Sequence, residues 1–247
     1  MCSSDLFGRT PRARVVRFVV LFPGRTGSTF LMSALRDHDE VRATGELIGP
    51  LRTEGWTAQS ARIEEWMHRP FLAPEKATGF KTKLVDVGDR DGFRGVLDAE
   101  QYRVIVLARD NHVKHVVSRA NAKRLKELTD RWNRRPGDDE LPPVTIDIAE
   151  FDEALARVQE HQDDIEAWAA TLSRPVLRVT YEQLLADGQA TFDQVCEFLG
   201  VGARPLQGRT EKATKDDLRD ALENFDELRA HYAGTAFAPM FDEVVAP

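Results

Sequence analysis

The feature that most constrains the fold is an apolar run followed at once by a glycine-rich loop and a helix-forming segment. The run, residues 15–22, reads VVRFVVLF, and its near-continuous β-branched and aromatic residues are typical of a buried strand in a parallel sheet. The loop, residues 23–29, reads PGRTGST, and residues 30–35 continue as a predicted helix. A strand, a glycine loop and a helix in this order open a βαβ unit, which predicts an α/β protein.

Strands and helices alternate along the rest of the chain. Further strands are predicted over residues 77–87, 102–108 and 175–180. Helices are predicted over residues 58–67, 93–99, 112–128, 151–171, 181–185, 189–199 and 215–232. Residues 40–50 are predicted to form mostly loop. We therefore expect one P-loop-like α/β domain over residues 15–247, with a central parallel sheet flanked by helices, a flexible N-terminus at 1–14 and an inserted loop at 129–148.

Composition and charge exclude several classes of protein. The chain has 34 Lys and Arg against 41 Asp and Glu, a net charge of −7, which argues against a general nucleic-acid binder. It has neither an apolar run of about 18 residues nor a signal-peptide core, so we expect no membrane span and a cytoplasmic location. Two cysteines, Cys2 and Cys196, are too few for a disulfide framework or a zinc site.

The loop after the first strand has the composition of a phosphate site. A glycine-rich turn at a helix N-terminus presents backbone N–H groups to an anion, and the helix dipole adds positive potential. The ATPase loop G-x-x-x-x-G-K-[ST] is two residues longer and carries a lysine that is missing here, so Mg-ATP is not the expected ligand. The alternative is a tight turn whose glycines serve packing alone. The candidate phosphate-binding residues are Gly24, Arg25, Thr26, Gly27, Ser28 and Thr29.

A second anion site is predicted after the strand over residues 102–108. Arg109 follows that strand at its carboxyl end, the edge where open α/β sheets bind ligands, and Ser118 lies nine residues further on. Residues 109–135 carry a net charge of +6 within a chain whose total is −7. A cationic segment in an acidic protein points to a specific anion site, although the charges beyond Arg119 are also compatible with a solvated helix face.

The two loops together resemble the segments that bind the 5′- and 3′-phosphates in sulfotransferases using 3′-phosphoadenosine 5′-phosphosulfate (PAPS), especially the bacterial and carbohydrate-type members. Residues 22–30 resemble the P-K-x-G-T-T-W loop, with Arg25 at the lysine position, and residues 107–118 resemble the segment around the nucleotide 3′-phosphate. Residues 179–185 and 192–200 are similar to the later Y-E-x-L-L and F-L-G stretches. The resemblance spans about residues 15–230.

The resemblance also implies roles for individual residues. Lys81 matches the lysine of the K-T-H-L segment, but Lys83 replaces its histidine, which is the base in many cytosolic members. Glu46 matches the glutamate that bacterial and carbohydrate-type relatives use, so it is the candidate base, with His38, His112 and His115 as alternatives. Arg25 and Lys81 would stabilise charge on the transferred group and the leaving phosphate. Arg109 and Ser118 would bind the 3′-phosphate, together with a late basic loop containing Lys212 and Thr214.

The implied activity is transfer of a sulfuryl group from PAPS to a hydroxyl of a small-molecule, carbohydrate or lipid-like acceptor, leaving 3′,5′-bisphosphorylated adenosine (PAP). Fixed cations would neutralise the charge, so no divalent metal is expected. Two other functions remain open at the level of sequence. They are a P-loop kinase or nucleotide hydrolase, and a non-catalytic nucleotide-binding protein.

Overall fold

The computed structural model describes residues 15–70, 74–134, 137–208 and 215–244. Within these residues the centre is a five-stranded sheet, in the order β2-β3-β1-β4-β5, and every pairing is parallel. The strands are β1 Val16–Leu21, β2 Val41–Glu46, β3 Ala77–Thr82, β4 Arg103–Ala108 and β5 Val176–Thr180. The expected α/β class with a parallel sheet is confirmed.

Helices connect the strands and cover both faces of the sheet. Those before β4 are α1 Ser28–Arg36, α2 Trp56–Met67 and α3 Arg90–Ala99. Those after it are α4 His112–Thr129, α5 Ile148–Ala169, α6 Tyr181–Ala186, α7 Gly188–Leu199, α8 Phe225–His231 and α9 Ala238–Asp242. No helix among the described residues is long and apolar enough to cross a membrane.

The central strand β1 divides the core into two layers because successive side chains of a strand point to opposite faces. Phe18 and Val20 pack in one buried cluster with residues of α1 and α7, and Val19 and Leu21 pack in another with residues of α2, α3 and α5. All four side chains are fully buried. The continuous apolar sequence of β1 is therefore explained by a strand that is covered on both sides.

Two sequence predictions of secondary structure were wrong. Residues 40–50 contain β2, an edge strand whose sequence VRATGE shows little apolar alternation because only Val41 is buried. The predicted helix over 215–232 is interrupted: a single 3₁₀ turn, Leu218–Asp220, precedes α8, which begins only at Phe225. In this region the buried residues Leu218 and Leu222 join a cluster with α4 and α5.

The described part of the 129–148 region contains no helix or strand apart from the residues that end α4 and begin α5. The backbone of Val144 forms an isolated parallel bridge with Leu222. This contact attaches the segment to the region around α8. That residues 129–148 are an insertion stays a prediction.

Candidate active site

The glycine-rich loop lies between β1 and α1, at the carboxyl edge of the sheet. Three of its residues have positive φ angles: Gly24 (94°), Arg25 (57°) and Gly27 (78°). The left-handed conformation is unusual for a residue with a side chain, so its presence at Arg25 marks a loop held in a specific shape. Gly27 is the N-cap of α1. It makes no side-chain capping bond, so the first backbone N–H groups of the helix are not bound by an N-cap side chain.

Gly27 is also a point of close approach. A Cβ atom on this residue would lie 2.8 Å from the ring of Tyr181, the first residue of α6. Glycine is therefore required by both its φ angle and its packing. The loop is consequently fixed against the segment that follows β5.

Lys81 lies beside the glycine-rich loop, in a position that sequence similarity alone did not define. Its side chain is buried, and its Nζ donates to Ser28 Oγ at 3.1 Å and Thr29 Oγ1 at 3.0 Å. Burial lowers the pKa of Lys81 to about 8; Glu46 opposes this effect, and Lys83, Arg36 and Arg25 add to it. A bound anion would favour the charged lysine.

The two predicted phosphate sites are in direct contact. Arg25 Nε donates to Ser118 Oγ on α4 at 3.3 Å, and Arg109 Nη1 donates to the backbone oxygen of Arg25 at 3.3 Å. Arg25 Nη1 also donates to Trp132 O and to Asn133 Oδ1, at 3.0 and 2.8 Å. The structure thus brings Arg25, Arg109 and Ser118 together at one end of the sheet.

The electrostatics of this contact favour an anion. Burial lowers the pKa of Arg25, and the nearby Arg109 lowers it further. Burial likewise lowers the pKa of Arg109, whereas Tyr181 and Glu182 act in the opposite direction. Two adjacent, partly desolvated guanidinium groups repel each other, so an anion bound between them would be stabilised by both.

Tyr181 and Glu182 contact the guanidinium of Arg109, a role that the sequence motif did not specify. The guanidinium of Arg109 lies 4.5 Å from the ring centroid of Tyr181, a cation–π contact. Its Nε is 3.9 Å from Glu182 Oε1, and the two carboxylate oxygens of Glu182 accept from the backbone N–H groups of Asp110 and Asn111. Tyr181 and Glu182 match the first two residues of the Y-E-x-L-L stretch, and this match was the sequence signal for the arrangement.

Glu46 lies at the end of β2, in register with Lys81 on β3. Its Oε2 is 3.0 Å from Lys83 Nζ, and Lys83 Nζ is 3.7 Å from Asp86 Oδ2. The side chains of Glu46 and Lys83 are each about one-third exposed, at 33% and 32%. The candidate base is therefore at the same edge as the phosphate loop, accessible to an acceptor and accompanied by two lysines.

The alternative bases differ in their surroundings. His38 is buried; its Nε2 is 2.7 Å from Gly202 O and its Nδ1 accepts from Glu40 N, so both ring nitrogens have structural partners. His115 is completely buried, and burial, with Arg109 and Arg119, holds its pKa well below the usual range. His112, at the start of α4, is half-buried. Glu46 remains the accessible candidate next to Lys81.

The remaining predicted phosphate ligands are Lys212, Thr214 and Thr26. Lys212 and Thr214, predicted to belong to a late phosphate-binding loop, lie outside the described residues. Thr26, also predicted as a loop ligand, is fully buried.

Two residues of the site were missed by the sequence analysis. Trp132 and Asn133 contact Arg25, and no motif could have identified them. Their approach depends on the path of the chain after α4.

Two known proteins are similar in sequence to this chain over nearly its full length. Nodulation protein H of Rhizobium tropici is 28% identical over 246 residues, covering 93% of this chain and 95% of that protein. Nodulation protein H of Rhizobium meliloti (strain 1021) is 27% identical over 241 residues, covering 91% and 94%. No protein-family model matches the chain.

The fold is similar to that of a solved structure. A sulfotransferase from Alicyclobacillus acidocaldarius superimposes with a TM-score of 0.54 and 16% sequence identity, covering 93% of each chain. At this identity the match concerns the fold, namely the parallel sheet with helices on both faces. The chain therefore shares its fold with this sulfotransferase, and its sequence is similar to Nodulation protein H over nearly the full length of both chains.

Proposed function

We propose that this protein transfers a sulfuryl group from PAPS to a hydroxyl of a carbohydrate, lipid-like or small-molecule acceptor. The observation that carries the proposal is the contact between the two cationic sites. Arg25 reaches Ser118, and Arg109 reaches the backbone of Arg25, each at 3.3 Å. A ligand with two phosphates on one adenosine could engage both sites at once, whereas a single phosphate would use only half of them.

The donor set of the site fits such a nucleotide. The N-terminus of α1 offers the backbone N–H groups of Gly27, Ser28 and Thr29, which would bind the 5′-phosphate. Arg109 and Ser118 would bind the 3′-phosphate. The nearby guanidinium groups have partly lost their hydration, so they gain from an anion of high charge.

PAPS supplies an electrophilic sulfur that is linked through oxygen to the 5′-phosphate. Glu46 would accept the proton of the acceptor hydroxyl while the acceptor oxygen forms its bond to sulfur and the bond from sulfur to the phosphate oxygen breaks. Lys81 and Arg25 would stabilise the electron pair that passes to the leaving phosphate. Lys81 also fixes the hydroxyls of Ser28 and Thr29, so the start of α1 is preorganised for the developing charge.

The location of Glu46 supports an acceptor that approaches from solvent. Its carboxylate is one-third exposed at the sheet edge, and Val85, which follows Lys83 by two residues, is 45% exposed. Trp132, which contacts Arg25 through its carbonyl, is 56% exposed. These apolar surfaces near a cationic site are compatible with a sugar ring or an alkyl chain.

Nucleotide binding tests the donor assignment. PAP without magnesium should raise the melting temperature of the protein, because a ligand that binds only the folded state stabilises it. ATP with magnesium should have a much smaller effect. The reverse preference would support a P-loop kinase or nucleotide hydrolase instead.

Transfer of radioactive sulfur tests the activity. [³⁵S]PAPS would be incubated with chitotetraose, octyl glucoside or 4-nitrophenol, which represent the carbohydrate, lipid-like and small-molecule classes. Labelled product should form with at least one of them, and Glu46→Gln should reduce its rate by about 100-fold or more, the usual contribution of a general base. PAP binding without sulfuryl transfer to any acceptor or to water would support a non-catalytic nucleotide-binding protein.

A further inference from the structure

The most specific contact around the candidate base is its ion pair with Lys83. Lys83 Nζ lies 3.0 Å from Glu46 Oε2, within hydrogen-bonding distance. Among the described residues, no hydrogen bond to the other carboxylate oxygen, Oε1, is formed. The contact therefore fixes one oxygen of Glu46 and leaves the other free to accept a proton.

Lys83 is itself held in place by its surroundings. It follows β3 in an extended conformation and precedes a 3₁₀ turn, Leu84–Asp86. Its Nζ is 5.8 Å from the ring centroid of Phe22 and 3.7 Å from the carboxylate of Asp86. Because the backbone and two side chains restrain this lysine, it can impose an orientation on Glu46.

The pair adds little to the stability of the fold. Both side chains are about one-third exposed, and ion pairs at such positions contribute little because solvent screens the two charges. Lys81, the other lysine beside Glu46, has separate partners in Ser28 and Thr29. Lys83 is therefore the residue whose principal contact is the candidate base.

We propose that Lys83 is a positioning residue that acts through Glu46: it holds Oε2 so that Oε1 faces the acceptor hydroxyl. This inference rests on the proposed function. The lysine supplies orientation and charge, and the glutamate accepts the proton.

The test is a double-mutant cycle on the rate of sulfuryl transfer. Lys83→Met keeps the length of the side chain but removes its charge, and it should lower kcat by about 10-fold because a misoriented base reacts more slowly. Lys83→Arg keeps the charge and should recover most of that loss. In the Glu46→Gln background, Lys83→Met should change kcat by less than about 2-fold, because the residue through which it acts is gone.

A matched control is available at the opposite end of the same two strands. Lys76 precedes β3 and forms an ion pair with Glu40, which precedes β2. Lys76→Met removes the same kind of contact away from the site, so it should leave kcat unchanged. The affinity for PAP should stay within about 2-fold of the wild-type value in Lys83→Met, because Lys83 acts on the base and not on the nucleotide.

Rates are measured with [³⁵S]PAPS and the fastest of the three acceptors named above, or with water as acceptor if none of them reacts. A 10-fold loss from Lys83→Met that persists in the Glu46→Gln background, or a large loss of PAP affinity, would overturn the inference and assign Lys83 to the donor. An unchanged kcat would overturn it as well. A wild-type protein that binds no PAP and transfers no sulfur would instead refute the proposed function.

Discussion

The lowered pKa of Lys81 makes nucleotide affinity depend on pH in a defined direction. Burial is the main cause that lowers this pKa to about 8, so the lysine is mostly charged at pH 7 and mostly neutral at pH 9. The phosphates of PAP are already ionised above pH 7, since their second pKa is near 6. Over this range, loss of the lysine proton should therefore weaken binding.

The magnitude follows from the fraction of charged lysine. If the neutral form binds weakly, the apparent Kd is multiplied by about 2 at pH 8 and by about 10 at pH 9, relative to pH 7. Binding at pH 8 should also take up about half a proton, since about half of the free protein lacks it. Lys81→Arg should show neither effect, because arginine stays charged throughout.

Isothermal titration calorimetry with PAP in buffers of different ionisation enthalpy measures both quantities. The free energy of unfolding should change with pH in the opposite direction: it should increase from pH 8 upward, while the affinity for PAP decreases. The unfolded chain holds more protons than the folded one between about pH 8 and the usual lysine value, so the cost of charging buried Lys81 is present below pH 8 and is relieved as the pH rises. A wild-type Kd that is constant from pH 7 to 9, or an equal slope in Lys81→Arg, would refute the reasoning.

Two further predictions concern stability and the second phosphate site. Gly79→Ala should lower the free energy of unfolding by about 2–3 kcal/mol and the Tm by roughly 5–10 °C, since its Cβ would lie 2.3 Å from Phe18 O on β1. Gly95→Ala on α3, where a Cβ would meet nothing within 4 Å, is the control and should be neutral or stabilising in the same thermal melt. Arg109→Gln should weaken PAP binding by about 10- to 100-fold while changing the affinity for adenosine 5′-phosphosulfate, which has no 3′-phosphate, by much less. Equal losses for the two nucleotides in calorimetry would contradict the assignment of Arg109.

The parts of the fold that were predictable have strong local signals. The strand β1 has an apolar sequence because it is buried on both faces, and the glycines that indicated a turn after it have positive φ angles. The edge strand β2 lacks such a signal, since most of its side chains are only partly buried. Its strand conformation depends on pairing with β3, a contact between distant parts of the chain.

The same distinction applies to the candidate site. Arg25 and Arg109 could be predicted because each follows a strand with a clear apolar sequence, whereas Glu46 was predicted only through the resemblance to bacterial and carbohydrate-type sulfotransferases. The hydrogen bonds from Arg25 to Trp132 and Asn133 join residues more than 100 positions apart, and no local pattern encodes them. The complete burial of His115 was equally hidden, since a histidine one turn into a helix can face either solvent or the core.

The central claim is that one doubly phosphorylated adenosine is bound by both cationic sites. A crystal structure of the protein with PAP tests it most directly. We expect the 5′-phosphate on the N–H groups at the start of α1 and the 3′-phosphate on Arg109 and Ser118. A nucleotide whose 3′-phosphate points away from these two side chains, or one bound elsewhere on the sheet, would contradict it.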